Sequence, residues 1–292
     1  MTRRLLLAAF IVGAAVLAFI FWPRFEGAPS RPLAEEALVG EARQGGLTVA
    51  LPEAVGNVEI SDARLPGQPL VLIDPGHGGV DGGATGLGGR LVEKRLTLAM
   101  AREVRERLVE RGRVRTALTR DGDDRLTLEQ RAAIARRIGA DLFVSIHMDS
   151  APNPEAVGVT LYALSDVASS EEAADLAAAE ARRIGPVVST DDSLVEALLT
   201  DLALREQMEA SHAFARRVLR RARGSVPLRP TPVQSANFHV LRRAQVPGIL
   251  VEAGYLTNQA DAERLAEAEG RATLVRALAD AIEADLATRQ AR

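Results

Sequence analysis

Cysteine is absent from the chain. The fold therefore owes nothing to disulfides, a metal would have to be held by nitrogen and oxygen, and a lipid-modified N-terminal cysteine is excluded. Aromatics are scarce, at 3 % of 292 residues, so a core must be built mainly from Ala, Leu, Val and Ile. No large excess of either charge exists: 36 basic against 39 acidic residues leave a formal net charge of −3. The basic residues are spread along the chain rather than clustered, so no nucleic-acid partner is expected. Internal repeats are missing. So are two compact motifs: there is no H-E-x-x-H, and the glycine-rich stretch 76–89 fits neither G-x-x-x-x-G-K-[ST] nor G-x-G-x-x-G, which argues against a nucleotide site.

Hydrophobic residues make up 47 % and charged residues 26 %, an ordinary globular composition. One long apolar run exists, from Leu5 to Trp22, preceded by Arg3 and Arg4. It approaches the ~20 residues that span a bilayer as a helix, and Trp22 stands where an interfacial aromatic would. The reading is a cytoplasmic tail at 1–4, a transmembrane signal anchor at 5–22 and an exported remainder. Arg24, on the far side, works against that orientation. A cleaved secretory signal is the alternative, and a buried core helix a third. The first two both place the folded part outside the cytoplasmic membrane. Residues 23–67 carry Pro23, Pro29, Pro32, Pro52 and Pro66 and read as a linker.

Residues 68–290 alternate strand and helix patterns. Apolar runs at Leu70–Ile73, Val114–Leu118, Leu142–Ile146, Val157–Leu164 and Gly248–Val251 predict buried strands. Leu96, Met100, Val104 and Leu108, four apart, predict a helix from Glu93 that Gly112 closes. Thr127 and Gln130 form a capping box for another, helices fill most of 170–223, and the last helix spans about 271–286. The fold class is α/β: a single domain with a mostly parallel twisted sheet flanked by helices on both faces. In such sheets ligands gather at the carboxyl ends of the strands. His77, His147 and Glu252 fall there, and the glycine-rich loop can fold Glu93 back toward His77.

A catalytic zinc site takes three protein ligands and keeps an open position for water, whose pKa the metal lowers to about 7. His77, Glu93 and His147 can supply the ligands for one Zn2+, and Glu252 is placed by topology as general base. Spacing alone is weak support. Each histidine has a bland alternative as a locally bonded residue, Glu93 as a helix-start carboxylate favoured by the dipole, and Glu252 as an ion-pair partner of a nearby arginine. Convergence on one rim of one sheet favours the site.

Four local patterns in order then resemble a known family. Val71–Gly79 (VLIDPGHGG), Glu93-Lys94, Val144–His147 and Val251–Asn258 (VEAGYLTN) are similar to the zinc-dependent N-acetylmuramoyl-L-alanine amidases of the amidase-3 type. Gly158–Tyr162 and Asn237–Leu241 fit as well, and the resemblance spans about 69–287. It implies zinc on His77, Glu93 and His147, with Glu252 as catalytic carboxylate. The implied reaction is hydrolysis of the amide between N-acetylmuramic acid and L-alanine in peptidoglycan, in septal cell-wall splitting and cell separation. The family usually has Phe where Tyr255 stands, and often Ala-Asn or Ala-Asp in place of Met148-Asp149. Asp149 and Asn258 are candidate substrate contacts. A non-catalytic wall-binding protein or a stem peptidase are competing readings. The first should have lost a ligand or Glu252; the second is opposed by the four patterns.

The segment 170–203 resembles the regulatory insertion of the family's cell-division branch. Ser169 and Glu172 form a capping box, and the helix they open should stop at Gly185-Pro186. Ala173, Ala177, Glu180 and Ile184 share one face. The resemblance implies that Glu180 fills the open zinc position until a LytM-type activator docks on 170–203. A solvated Glu180 on a surface helix is the alternative. Leu194, Val195, Leu198, Leu199 and Leu202 form an amphipathic stretch suited to docking or to core packing. The protein is expected in the periplasm, tethered to the cytoplasmic membrane through 5–22, or secreted there after signal cleavage.

Overall fold

Strand β2 (Leu70–Pro75) is buried at every position, and the alternation of its side chains explains how. Val71 and Ile73 enter one apolar layer, Leu70 and Leu72 the other, so the run Leu70–Ile73 is hydrophobic because both faces of the sheet are covered. The structure is a computed structural model that describes residues 58–183 and 194–291. The expected anchor at 5–22, most of the linker, and Ile184 lie outside the described residues. Among those described, no helix is long and apolar enough to cross a membrane.

The sheet also contains β1 (Ile60–Ser61), β5 (Arg115–Leu118), β6 (Leu142–Asp149), β7 (Val159–Leu164), β8 (Leu228–Ala236) and β9 (Gly248–Tyr255), in the order β1-β5-β2-β6-β9-β7-β8. The pairs β5/β2, β2/β6, β6/β9 and β7/β8 are parallel; β1/β5 and β7/β9 are antiparallel. The sheet is therefore mixed, with parallel pairing predominating. A separate ribbon of β3 (Thr85–Gly86) and β4 (Leu91–Val92) lies inside the glycine-rich loop.

One face is covered by helices α1 (Glu93–Arg111), α4 (Leu194–Ala222), α6 (Gln259–Ala266) and α7 (Ala268–Gln290). The other carries α2 (Leu128–Ile138), α3 (Glu171–Ala181) and α5 (His239–Ala244). The helix signals act as expected. Leu96, Met100, Val104 and Leu108 are buried, and Gly112 caps α1 at φ 64°. Thr127 and Gln130 form a reciprocal capping box on α2, a contact worth roughly 1 kcal/mol. Two expectations are corrected. The cap of α3 is Ser170, whose side chain accepts from Ala173 N; Ser169 Oγ instead accepts from Ser235 N at 2.9 Å. The helix also ends at Ala181, before Gly185.

Parity along the strands assigns the polar side chains to one face. On β6, Phe143 belongs with the α2, α3 and α5 layer, so by alternation Ser145 and His147 point the same way. Leu250 does likewise on β9, which directs Glu252 to that face too. His147 and Glu252 are register partners on adjacent parallel strands, and so come together at the carboxyl end of the sheet.

Candidate metal centre

His77 follows β2 directly and adopts φ 60°, a left-handed conformation that costs a non-glycine residue free energy and needs outside support. Two buried arginines supply it. Arg131 of α2 donates to the carbonyls of His77 (2.6 Å) and Pro75 (2.7 Å) and to Asp74 Oδ1 (2.6 Å). Arg120 donates to the carbonyls of Pro75, Gly76 and Lys94 at 3.1, 2.8 and 2.9 Å. Burial and the nearby Arg131 pull the Arg120 pKa down to about 10, still charged at neutral pH. Gly76 is required by close approach: a Cβ there would lie 2.3 Å from His147 Cε1.

Glu93 opens α1, where the helix dipole favours a carboxylate. Its Oε2 accepts from Ala84 N at 2.7 Å, its Oε1 from Met148 N at 3.0 Å, and Glu93 N donates back to Ala84 O. His77 Nε2 and His147 Nδ1 both lie 3.0 Å from Glu93 Oε1. Burial pushes the Glu93 pKa up, but hydrogen bonds and charge interactions with the two imidazoles reverse this and hold it well below the usual carboxylate range. Burial lowers the pKa of His147. For His77 burial acts downward too, yet Glu93 and then Asp81 leave it raised. Asp81 Oδ1 stands 3.0 Å from His77 Nδ1, which leaves Nε2 for the centre.

The donor set fits a divalent cation. Two imidazole nitrogens and one carboxylate oxygen lie within 4.8 Å of one another. Tetrahedral bonds of ~2.1 Å separate ligand atoms by ~3.4 Å, so little movement is needed from the 3.0 Å observed.

Glu252 is buried beside this trio. Among the described residues it forms no ion pair with an arginine, and its Oε2 has no hydrogen-bond partner. Burial, then the charges of Asp149 and Glu93, push its pKa well above the ordinary range, with Arg183 opposing. Asp149 lies opposite Tyr255 in register, and burial raises it to about 6. Asn258 is elsewhere engaged: its side chain accepts from Asp261 N, capping α6, and donates to Pro154 O at 2.8 Å. Glu180 does not join the trio either. Its two oxygens accept from His239 N (2.6 Å) and Val240 N (3.1 Å), although Glu180 and His147 line one cavity of about 60 Å³. A larger cavity, about 630 Å³, lies at the opposite end of the sheet among Arg111, Arg113, Asp280 and Glu283, far from this chemistry.

Residues 71–284 match the family described as Amidase_3, N-acetylmuramoyl-L-alanine amidase. The chain belongs to this family. It is 35 % identical to the N-acetylmuramoyl-L-alanine amidase AmiA of Escherichia coli over 220 residues, 74 % of this chain and 75 % of that protein. It is 32 % identical to AmiA of Salmonella typhimurium, covering 86 % and 87 %. Among solved structures, the amidase AmiC2 of Nostoc punctiforme superposes with a TM-score of 0.53 at 30 % identity, covering 77 % of this chain and 99 % of that one.

For this amidase the sequence patterns pick out the three candidate metal ligands and Glu252, which the structure brings to one rim. They miss the support. Arg120, Arg131 and Asp81 carry no local motif, because their role depends on reaching loop carbonyls and imidazoles 4–56 positions away. The resemblance includes Lys94, yet its clamp is visible only in three dimensions: Nζ donates to Gly79 O at 2.7 Å and Asp123 Oδ2 at 2.6 Å, while Gly79 N donates to Asp123 Oδ1 at 2.9 Å.

Proposed function

We propose that this amidase holds one zinc ion on His77, Glu93 and His147 and cuts the amide between N-acetylmuramic acid and L-alanine, with Glu252 moving the proton. The observation that carries the reading is a buried, unpaired carboxyl set in register beside a His–Glu–His trio. Bound there, zinc supplies a Lewis acid that polarises a carbonyl and acidifies its water. The chain's own groups do the rest. Glu93, fixed by two amides, would present its carboxylate to the metal beside the two imidazoles. Arg131 and Arg120 keep the His77 backbone in its left-handed turn. Glu252 Oε2 takes a proton from the attacking water and returns it to the departing alanine nitrogen, and burial shifts its pKa upward, in the direction that favours holding a proton.

Septal wall splitting, export to the periplasm, the tether at 5–22 and an activator docking on 170–203 belong to the same proposal. What supports them is the apolar run behind Arg3 and Arg4 and the placement of α3, which contributes Glu180 to the cavity that His147 also lines.

Digestion of purified sacculi followed by product analysis tests the reaction. Free peptide stems starting at L-alanine are expected. Shortened stems would mean a peptidase, and an absence of products in a zinc-loaded sample freed of 170–203 would leave only a binding protein.

A further inference from the structure

The chain has two tyrosines, and both stand in the wall beside Glu252. Tyr162 lies on β7 and Tyr255 ends β9, while Arg229 stands on β8. These strands are neighbours in the order β9-β7-β8, so three adjacent strands contribute one group each. Two of them, Tyr255 and Arg229, converge on one carboxylate. Tyr255 OH donates to Glu172 Oε1 at 2.9 Å, and Arg229 Nη2 donates to both Glu172 oxygens at 2.9 and 3.1 Å. Arg229 also stacks over the Tyr255 ring, 5.3 Å from its centroid. Beneath them Tyr162 is fully buried, with a hydroxyl that has no partner among the described residues.

A guanidinium braced on an aromatic ring, with a phenol beside it, is a seat for a carboxylate. An ordinary exposed ion pair is worth little and gives no reason to bury two phenols, one of them unpaired among the described residues. Here the seat is taken by Glu172, the second residue of α3, a helix that buries only Ala173 and Ala177. Position supplies the other half of the argument. Tyr255 lies three residues beyond Glu252 on the same strand, and its register partner Asp149 lies two beyond His147. At ~3.3 Å per residue the seat is roughly 10 Å from the catalytic carboxyl, the reach of the second or third residue of an extended peptide whose first amide sits at the metal centre.

We propose that Arg229, Tyr255 and Tyr162 form the subsite for a free carboxylate of the peptide stem, and that Glu172 fills it from within until the stem displaces it. The inference rests on the amidase reading, which is what aligns a carboxylate-bearing peptide with this rim.

Calorimetric titration of the zinc-loaded full chain with the synthetic stem tripeptide L-Ala-γ-D-Glu-L-Lys, and with its form carrying a carboxamide in place of the glutamyl α-carboxylate, reads this directly. Binding of a cleaved stem needs no turnover. The wild type is expected to bind the carboxylate form about tenfold more tightly than the carboxamide. Arg229→Gln should erase that ratio with zinc content unchanged. Tyr255→Phe, which removes only a hydroxyl, should shrink it by about threefold, and Glu172→Gln should tighten carboxylate binding by roughly as much once the internal competitor is neutral. A ratio of one in the wild type, or one that survives both Arg229→Gln and Tyr255→Phe, overturns the proposal. Sacculi digested in parallel by a zinc-loaded sample freed of 170–203 keep the two ideas apart: discrimination between the peptides by the full chain without stem release by that sample would sink the amidase reading and leave the subsite standing.

Discussion

Every basic residue but one is arginine; the exception, Lys94, follows the metal-site residue Glu93. Its ammonium bonds the Gly79 carbonyl and Asp123 together, while Asp123 takes the Gly79 amide. A compact three-donor head suits that corner, and the longer planar fork of arginine does not. Lys94→Arg, conservative everywhere else in such a chain, is therefore expected to loosen the His77 loop and weaken zinc binding by about tenfold. Competition against a chromogenic chelator measures this, and unchanged affinity would reduce the clamp to an ordinary surface contact. Gly76→Ala should do at least as much damage, because its new Cβ would press on the His147 ring from 2.3 Å. That contact joins residues 71 positions apart, and the sequence shows only a glycine in a loop full of glycines.

Among the elements, α3 shows best what sequence reading reaches and where it stops. Its alanine stripe and the place of Glu180 on that stripe follow from local pattern, while its cap falls on Ser170, one residue beyond the serine that the pattern pointed to. The destination of the Glu180 carboxylate does not, since the amides of His239 and Val240 become available only when α5 forms against α3. Edge strand β8 escapes for a different reason. Pro230 and Pro232 disguise it, and prolines are tolerated because, among the described residues, no further strand pairs with that edge. The buried central strands, by contrast, are legible as short apolar runs, and the two αL glycine caps and the capping box as start and stop signals. Glu180 carries a testable consequence. Burial raises its pKa to about 7 against the two amide bonds that act downward. A carboxyl raised in the folded state stabilises most below its unfolded value near 4.5, and that contribution is lost as pH rises through about 7. The side chain stays partly exposed, so the effect should not exceed about 1–2 kcal/mol. Thermal unfolding of Glu180→Gln at pH 5 and pH 8 is expected to show a relative gain at pH 8; equal shifts at both would contradict it.

Over the whole molecule, one buried ionic knot ties the sheet to the site. Asp74 accepts from Arg131, Thr119 (2.6 Å) and Ser145 (2.8 Å), joining α2, β2, β6 and the chain after β5. Burial alone would raise the Asp74 pKa, but Arg131 and the two hydroxyls hold it below the usual range. The sign follows: this stabilisation is complete above the unfolded value near 3.8 and disappears as pH falls through the folded one. Arg131→Met should cost about 3–5 kcal/mol at pH 7 by stranding a buried charge, and the loss should shrink as pH falls below the unfolded value near 3.8. Denaturant unfolding across that range checks both. The same knot holds the backbone that presents His77, so stability and metal binding should fall together in that variant.

The central claim is a division of labour: His77, Glu93 and His147 hold the metal, while Glu252 moves a proton without holding it. Zinc content and stem release from sacculi, measured together on the wild type and on Glu252→Gln, test it most directly. The account predicts one zinc per chain in both proteins, with stem release in the variant reduced by about 10²–10⁴. A wild type that binds no zinc, or a Glu252→Gln variant that still releases stems at the wild-type rate, would contradict it.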